Sequence, residues 1–181
     1  MYQEIIARLK EMGIKLEQGL SYKEIDDIEK KYEILFPYEL KEFYSVALPV
    51  SDSFVNWRDT SKENIEAVRS RLERPFSDLR ESVLDIEWND DWGEEPSDIK
   101  VKRSHILKRI DGAPRLIPIY SHRYIVSSLS RQSPVLSIYG IDVIYYGENL
   151  RSYFEIEFGE RDSSDIQMDR VSPVPFWSDL L

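Results

Sequence analysis

The chain has 181 residues, with 24 Lys or Arg against 34 Asp or Glu, and its formal net charge is −10. Such an acidic surface argues against direct binding of nucleic acid, because phosphate contacts need clustered cations. The absence of cysteine excludes disulfides, thiolate metal sites and cysteine nucleophiles. The length and a hydrophobic content of 41% predict one compact domain with a sizeable core.

The N-terminal part has the periodicity of amphipathic helices. Apolar residues at helical spacing predict a first helix over residues 2–12. Ser21 with Glu24 three residues later predicts a capping box at the start of a second helix. Pro37 is expected in the first turn of a third helix, where its missing N–H costs nothing.

The middle of the chain predicts two helices separated by one strand. Helical spacing covers residues 60–75, and Pro75 is expected to end that helix. A period of two over 82–88 predicts a half-buried strand. Its inward side chains are expected to be those of Leu84, Ile86 and Trp88. Another helix follows over 96–110, with Ile99 facing inward.

The second half is rich in short apolar runs. The runs RLIPIY, HRYIVSSL, PVLSIY and IDVIYY are broken by Ser, Pro and Gly, as in a sheet of short antiparallel strands. Helices first and strands later, without regular alternation, predict an α+β domain over residues 1–158. An extension over 159–181 carries Phe176 and Trp177, which are expected to pack on the domain or on a partner.

The most unusual stretch is DIEWNDDWGEEP at residues 85–96, with six acids, two tryptophans and no basic residue. Three interpretations are open. The tryptophans can belong to the core, with the acids solvated. The stretch can be a contact surface for a basic partner, since tryptophan is enriched at interface hot spots. It can also be an acidic cleft for acid–base chemistry, a divalent cation or a sugar. The candidate residues are Glu87, Trp88, Asp90, Asp91, Trp92, Glu94 and Glu95.

Catalytic signals are weak elsewhere. The chain has two histidines. His105 is expected on a solvated basic helix face, whereas His122 precedes Arg123 at a strand start and suits a hydrogen-bonding or binding role. Glycine-rich phosphate loops, nucleophile elbows and zinc-binding helix motifs do not occur. We therefore predict a non-enzymatic protein without metal or cofactor. With no signal-peptide pattern and no apolar run of membrane-spanning length, the sequence predicts a cytoplasmic protein that does not contact a membrane.

Several motifs together resemble the SMI1/KNR4 family, also called the SUKH superfamily. The N-terminal part is a Gly-Leu-Ser cap at 19–21, an acidic helix, and Pro37 leading into Tyr-Glu-Leu and an aromatic pair at 43–44. Later motifs resemble a bacterial branch of the family. They are NWRD (56–59), EWN (87–89), WG before Pro96, LIPIYSHRYI (116–125), and IYYG followed by L-x-x-YF (144–154). The branch often has a basic residue near Glu95, where this chain has an acid.

The resemblance covers residues 14–158 and implies an α+β fold in which helices flank a twisted, largely antiparallel sheet. Bacterial members are proposed to bind and neutralise polymorphic toxins, often nucleases, whereas fungal members act as scaffolds in cell-wall synthesis signalling. The chain is accordingly expected to be an immunity protein, or antitoxin. Its expected partner is a basic toxin domain, with a nuclease as the expected type.

Four further residues join the acidic stretch as expected contacts: Trp57, Arg58, His122 and Arg123. The alternative is a small-molecule or carbohydrate-binding module, or an enzyme, built on the aromatic side chains of Trp57, Trp88 and Trp92. The sequence leaves the oligomeric state open.

Overall fold

The computed structural model describes residues 2–51, 53–159 and 161–181. Within these ranges the helices are α1 (Gln3–Glu11), α2 (Tyr22–Tyr32), α3 (Tyr38–Val46), α4 (Lys62–Glu81), α5 (Ile99–Gly112) and α6 (Leu150–Glu157). The strands are β1 (Leu16–Gln18), β2 (Ala47–Pro49), β3 (Leu116–Tyr120), β4 (Arg123–Val126), β5 (Val135–Tyr139) and β6 (Asp142–Gly147). No helix in the described part is long and apolar enough to cross a membrane.

Strands β3 to β6 form one antiparallel sheet in sequence order. Strands β1 and β2 pair separately as a two-stranded antiparallel ribbon. The α+β class, with antiparallel sheets and flanking helices, is therefore confirmed. The ribbon was not predicted, because each of its strands has three residues and carries too little pattern to recognise.

Apolar side chains cover both faces of the larger sheet, because successive side chains of a strand point to opposite sides. On one face Ile117, Ile125 and Val135 join a cluster with α1, α2, α3 and α6, which we call the first layer. On the other face Leu116, Val126 and Leu136 join a cluster with α5 and the C-terminal segment, residues 161–181, and we call this cluster the second layer. Helix α4 reaches both clusters, with its N-terminal half in the first and its C-terminal half in the second.

The C-terminal segment packs on the second layer. Trp177 is fully buried, and its indole Nε1 donates a hydrogen bond to the carbonyl oxygen of Pro114 at 2.9 Å. The rings of Trp177 and Phe76 meet edge to face with centroids 5.2 Å apart. Val174 and Phe176 are buried in the same cluster. These contacts attach the segment to the body of the domain.

The predicted start of the second helix is confirmed. Ser21 caps α2, accepting a hydrogen bond from the backbone N–H of Glu24 on its side-chain oxygen. The Glu24 carboxylate in turn accepts one from the backbone N–H of Ser21 at 2.8 Å. This reciprocal pair satisfies two donors that would otherwise have no partner at the helix end.

The predicted end of the 60–75 helix is wrong. Helix α4 continues through Pro75 to Glu81, with the Pro75 ring buried. The predicted strand over 82–88 is also wrong, and these residues form turns and irregular structure. Val83 and Ile86, three residues apart, are buried, whereas Leu84 is half exposed. Burial at a spacing of three suits a turn after a helix, and it overrides the apparent alternation.

One helix face was also misassigned. Ile99, expected to point inward, is 56% exposed in the first turn of α5, whereas Ile106 and Ile110 are fully buried. Asp98 caps this helix by accepting from the backbone N–H groups of Lys100 and Val101. The cap places Ile99 at the solvent-facing start of the helix.

Candidate functional site

The acidic segment, residues 85–96, connects α4 to α5 and contains a short 3-10 turn at Asp90–Trp92. Asn89 begins this turn. Its side-chain oxygen accepts a hydrogen bond from the backbone N–H of Asp91 at 2.9 Å, and its carbonyl accepts one from Trp92. The Asn89 side-chain nitrogen donates to the carbonyl of Asp179, which ties the turn to the C-terminal segment.

Trp92 belongs to the second layer. It is 8% exposed, and its indole Nε1 donates to Oδ2 of Asp179 at 2.8 Å. The Phe176 ring stacks with it at 6.3 Å, and the guanidinium of Arg109 lies 4.9 Å from the centre of its ring. For Trp92 the core interpretation therefore holds.

Trp88 is only partly buried. Its indole Nε1 donates to the carbonyl of Gly93 at 2.7 Å, and its ring packs edge to face on Trp92 with centroids 5.5 Å apart. The ring of His105 lies 6.2 Å away. Trp88 is thus fixed in orientation while part of its ring remains accessible.

The carboxylates of the segment fall into two groups. Asp90, Asp91 and Glu94 are exposed, and none of them forms an ion pair with a cation in the described part of the chain. Glu95, also exposed, forms an ion pair with Lys102 of α5. The first three therefore carry uncompensated negative charge at the surface, whereas Glu95 is largely neutralised.

A groove of about 420 Å³ lies beside Trp88. Asp85 and Glu87 line it from the acidic segment, Asp142 from β6 and Asp179 from the C-terminal segment. Carboxylates next to an accessible indole can attract an ammonium or guanidinium group. Among the described residues no group of three or more Asp, Glu or His is arranged to hold a metal ion.

Helix α5, which follows the acidic segment, carries several basic side chains. Two of them contact the segment: Lys102 forms an ion pair with Glu95, and the guanidinium of Arg109 lies over the ring of Trp92. Lys100, Arg103 and Lys108 are exposed on the helix. Negative and positive surfaces therefore lie side by side.

Trp57 and Arg58 lie elsewhere, in the first layer. Trp57 is 2% exposed and packs edge to face on Tyr32 and Phe36. Arg58 forms ion pairs with Glu17 and Glu24. Trp88 and Trp92 belong to the opposite cluster. A ligand cleft built from all three tryptophans is therefore wrong, because Trp57 is buried among first-layer side chains.

Arg123 is engaged in contacts within the domain. Its guanidinium donates to the carboxylate of Glu157 at 3.0 Å and to the hydroxyl of Ser137 at 2.8 Å, and it lies 3.8 Å from the ring centre of Tyr146. Its side chain is 11% exposed.

Its neighbour His122 instead lines a second pocket, together with Arg71 and Arg74 of α4. Sequence reasoning missed the two arginines. Their spacing of three on one helix is the only local signal that they share a face.

No protein-family model matches the chain, and no curated protein or solved structure matches it at a significant level.

Proposed function

We propose that this chain is a non-enzymatic immunity protein of the cytoplasm that binds and neutralises a basic toxin domain, with a nuclease as the expected type. The proposal is supported chiefly by the exposed, unpaired carboxylates of Asp90, Asp91 and Glu94 beside the half-buried Trp88. The resemblance to the SMI1/KNR4 family supports it from the sequence. Binding would block the active site of the toxin or an adjacent surface.

The frame beneath these carboxylates favours a binding role. The hydrogen bond from Trp92 to Asp179 and that from Trp88 to Gly93 hold both rings, so little freedom remains to be lost on association. An ordered, partly exposed aromatic side chain is a typical interface anchor. Trp88, not the buried Trp92, therefore takes that role in the proposal.

The charges around the segment favour a basic partner approaching in one orientation. Opposite potentials accelerate encounter, and like charges oppose wrong poses. A toxin that holds phosphates has a basic surface, which the acidic segment would attract. The exposed cations Lys100, Arg103 and Lys108 of α5 would repel that surface and so fix the register of docking.

The groove beside Trp88 gives the alternative its support. A volume of about 420 Å³ is within the range of small-ligand pockets, and its carboxylates and indole suit a sugar or a small cation. In this second candidate function the chain is a small-molecule or carbohydrate-binding module, or an enzyme. Turnover of a glycoside, nucleotide or peptide that disappears in a folded Glu87→Gln variant would favour it.

The test is binding to the toxin-like domain encoded beside this gene, measured by stopped flow at low and high salt. We expect a one-to-one complex whose association rate falls as the Debye length shrinks from about 10 Å at 0.1 M salt to about 3 Å at 1 M. Loss of the toxin's activity on complex formation would support neutralisation. The proposal fails if the neighbouring toxin domain does not bind, or if the gene has no such neighbour.

A further inference from the structure

A second pocket, of about 340 Å³, lies between α4 and the turn that joins β3 to β4. Its polar walls are formed by Arg71, Arg74 and Asp78 of α4 and by His122 of the turn. Tyr124 and Tyr139 are its aromatic walls. Two arginines and a histidine therefore surround one cavity in a chain whose net charge is −10.

Arg71 is held in place but keeps hydrogen-bonding capacity. Its Nη2 donates to the carbonyl oxygens of Ser53 at 2.9 Å and Ser121 at 3.2 Å. Its Nε and Nη1 groups have no acceptor, and its charge has no carboxylate partner, among the described residues. Burial lowers the pKa of this guanidinium, as expected for a cation without a nearby anion. An oxyanion would supply both missing interactions.

The cavity is preorganised. The backbone N–H of Ser121 donates to the same Ser53 carbonyl at 2.8 Å, and Phe54 forms a bridge with Tyr120 at the end of β3. The side-chain oxygen of Ser121 lies 3.1 Å from Nδ1 of His122. The turn and the guanidinium therefore share one anchor and keep their relative positions without a ligand.

The balance of charge at the cavity is positive. Arg74 contacts Asp78, with Nε and Oδ2 3.6 Å apart, and this carboxylate is the one acidic group among the described lining residues. Arg71 remains uncompensated. The aromatic part of the wall consists of Tyr124, which is buried, and Tyr139, which is largely exposed and whose ring meets that of His122 edge to face at 6.2 Å.

We infer that this pocket binds a small-molecule anion, with a phosphate or carboxylate group held by Arg71 and Arg74 and an aromatic ring against Tyr124 and Tyr139. The volume lies at the lower end of the range for small-ligand sites and suits a molecule with one ring. Arg71, as the half-buried cation without a carboxylate partner among the described residues, is the principal anchor. The inference does not depend on the proposed immunity role, because it rests on other residues.

The two histidines make a direct test possible, since each gives its own imidazole resonances in NMR spectra. Phenyl phosphate and benzoate are titrated separately into the intact protein, with inorganic phosphate as the probe without a ring. Burial, and then the charge of Arg123, lower the pKa of His122 in the free protein. A bound anion should raise that pKa. His105 lies on α5 outside this cavity, and its resonances are the internal control.

Several groups around His122 affect this titration and must be held constant. They are Arg71, Arg74 and Asp78 of α4, Arg123 and Tyr124 of β4, Tyr139 of β5 and Glu157 of α6. The wild-type titration with and without ligand keeps all of them in place. The difference between the two curves therefore reports the anion alone.

We expect a Kd of about 1 mM or tighter for phenyl phosphate or benzoate, and weaker binding of inorganic phosphate. Arg71→Met should weaken binding about tenfold or more, and Arg74→Met by a smaller factor. Arg69→Met removes the same charge from an exposed position of α4 outside this cavity, and should have little effect. The ring-bearing ligand that binds more tightly identifies the oxyanion.

Either of two results would overturn the inference. One is an unchanged His122 titration with both ring-bearing anions. The other is equal binding by wild type and Arg71→Met. If Arg71→Met does not fold, because Ser53 and Ser121 lose their donor, the exposed Arg74→Met variant and the wild-type His122 titration decide the question.

Discussion

The two layers on the sheet are assembled in different ways. The first layer consists largely of α1, α2 and α3, which follow one another closely and bury aromatic rings such as those of Phe36, Phe43 and Tyr44. The second layer joins distant parts of the chain. The hydrogen bond between Trp92 and Asp179 spans 87 residues, and that between Trp177 and Pro114 spans 63.

This difference matters for function. The first layer is a tightly packed apolar frame, in which Trp57 is inaccessible. The second layer carries both candidate binding regions. These are the acidic segment with its groove and the pocket lined by Arg71, Arg74 and His122. Tryptophans fixed by long-range hydrogen bonds hold charged loops in defined positions, which is what a preorganised binding surface requires.

The largest expected effects on stability come from removing one fully buried ring in each layer. Phe43→Ala in the first layer and Trp177→Ala in the second should each lower the free energy of unfolding by about 3–5 kcal/mol, because each removes a fully buried ring. Urea denaturation measures both losses. A loss below about 1 kcal/mol for Trp177→Ala would show that the C-terminal segment is not part of the folded core.

A smaller effect on stability is expected in the first layer as the pH changes. Glu39 of α3 is 6% exposed, and its carboxylate accepts hydrogen bonds from the backbone N–H groups of Ser133 at 2.9 Å and Leu150 at 3.0 Å. Burial nevertheless raises its pKa from 4.5 to about 7. The folded state thus binds this proton more tightly than the unfolded state. The resulting stability is complete below pH 4.5 and is lost as the pH rises through about 7.

The loss should reach about 3 kcal/mol in wild type. Denaturation of wild type and Glu39→Gln between pH 5 and 8 measures it, since the variant lacks the titrating group and other groups cancel in the difference. A constant difference between the two proteins across this range would contradict the assigned pKa.

The anchoring of Trp92 is expected to contribute less. Asp179→Ala removes the acceptor of the indole Nε1 and should lower the free energy of unfolding by about 2 kcal/mol, within the range of about 1.5–3 kcal/mol for a hydrogen bond to a charged group. Asp179→Asn keeps an acceptor oxygen and should lose less. Asp169→Ala, an exposed carboxylate in the same segment, is the matched control and should change little. Equal losses for Asp179→Ala and Asp169→Ala would show that the hydrogen bond from Trp92 to Asp179 does not stabilise the fold.

The sequence predicts the first layer better than the second for a physical reason. Ser21 and Glu24 form a capping box within four residues, so the signal is local and reliable. Pro75 sits inside α4 because its ring is buried, a tertiary effect that local rules do not include. The same holds for residues 82–88, where burial of Val83 and Ile86 decides the structure.

The candidate binding regions also divide into features with a local sequence signal and features that only the fold creates. The acidic segment could be selected from composition alone, because acids and tryptophans are adjacent in sequence. Asp179 and Arg109, which fix Trp92, could not, since no local pattern relates them to it. The pocket of Arg71 and His122 also joins segments far apart in the chain, and only the fold brings them together.

The proposed function requires that the uncompensated charge of the acidic segment accelerates association with a basic partner. The most direct test compares two triple charge reversals in stopped-flow binding to the toxin-like domain proposed as the partner. One variant reverses Asp90, Asp91 and Glu94 to lysine. The control reverses Glu11, Asp27 and Glu66, which are exposed on α1, α2 and α4. Both variants change the net charge equally, so a difference between them reports location.

We predict that reversal in the acidic segment lowers the association rate about tenfold or more at low salt, with much of the difference lost near 1 M salt. The control reversal should lower the association rate far less. Equal effects of the two variants would show that net charge alone controls encounter. An unchanged rate after reversal of Asp90, Asp91 and Glu94 would contradict the claim that this segment is the contact surface.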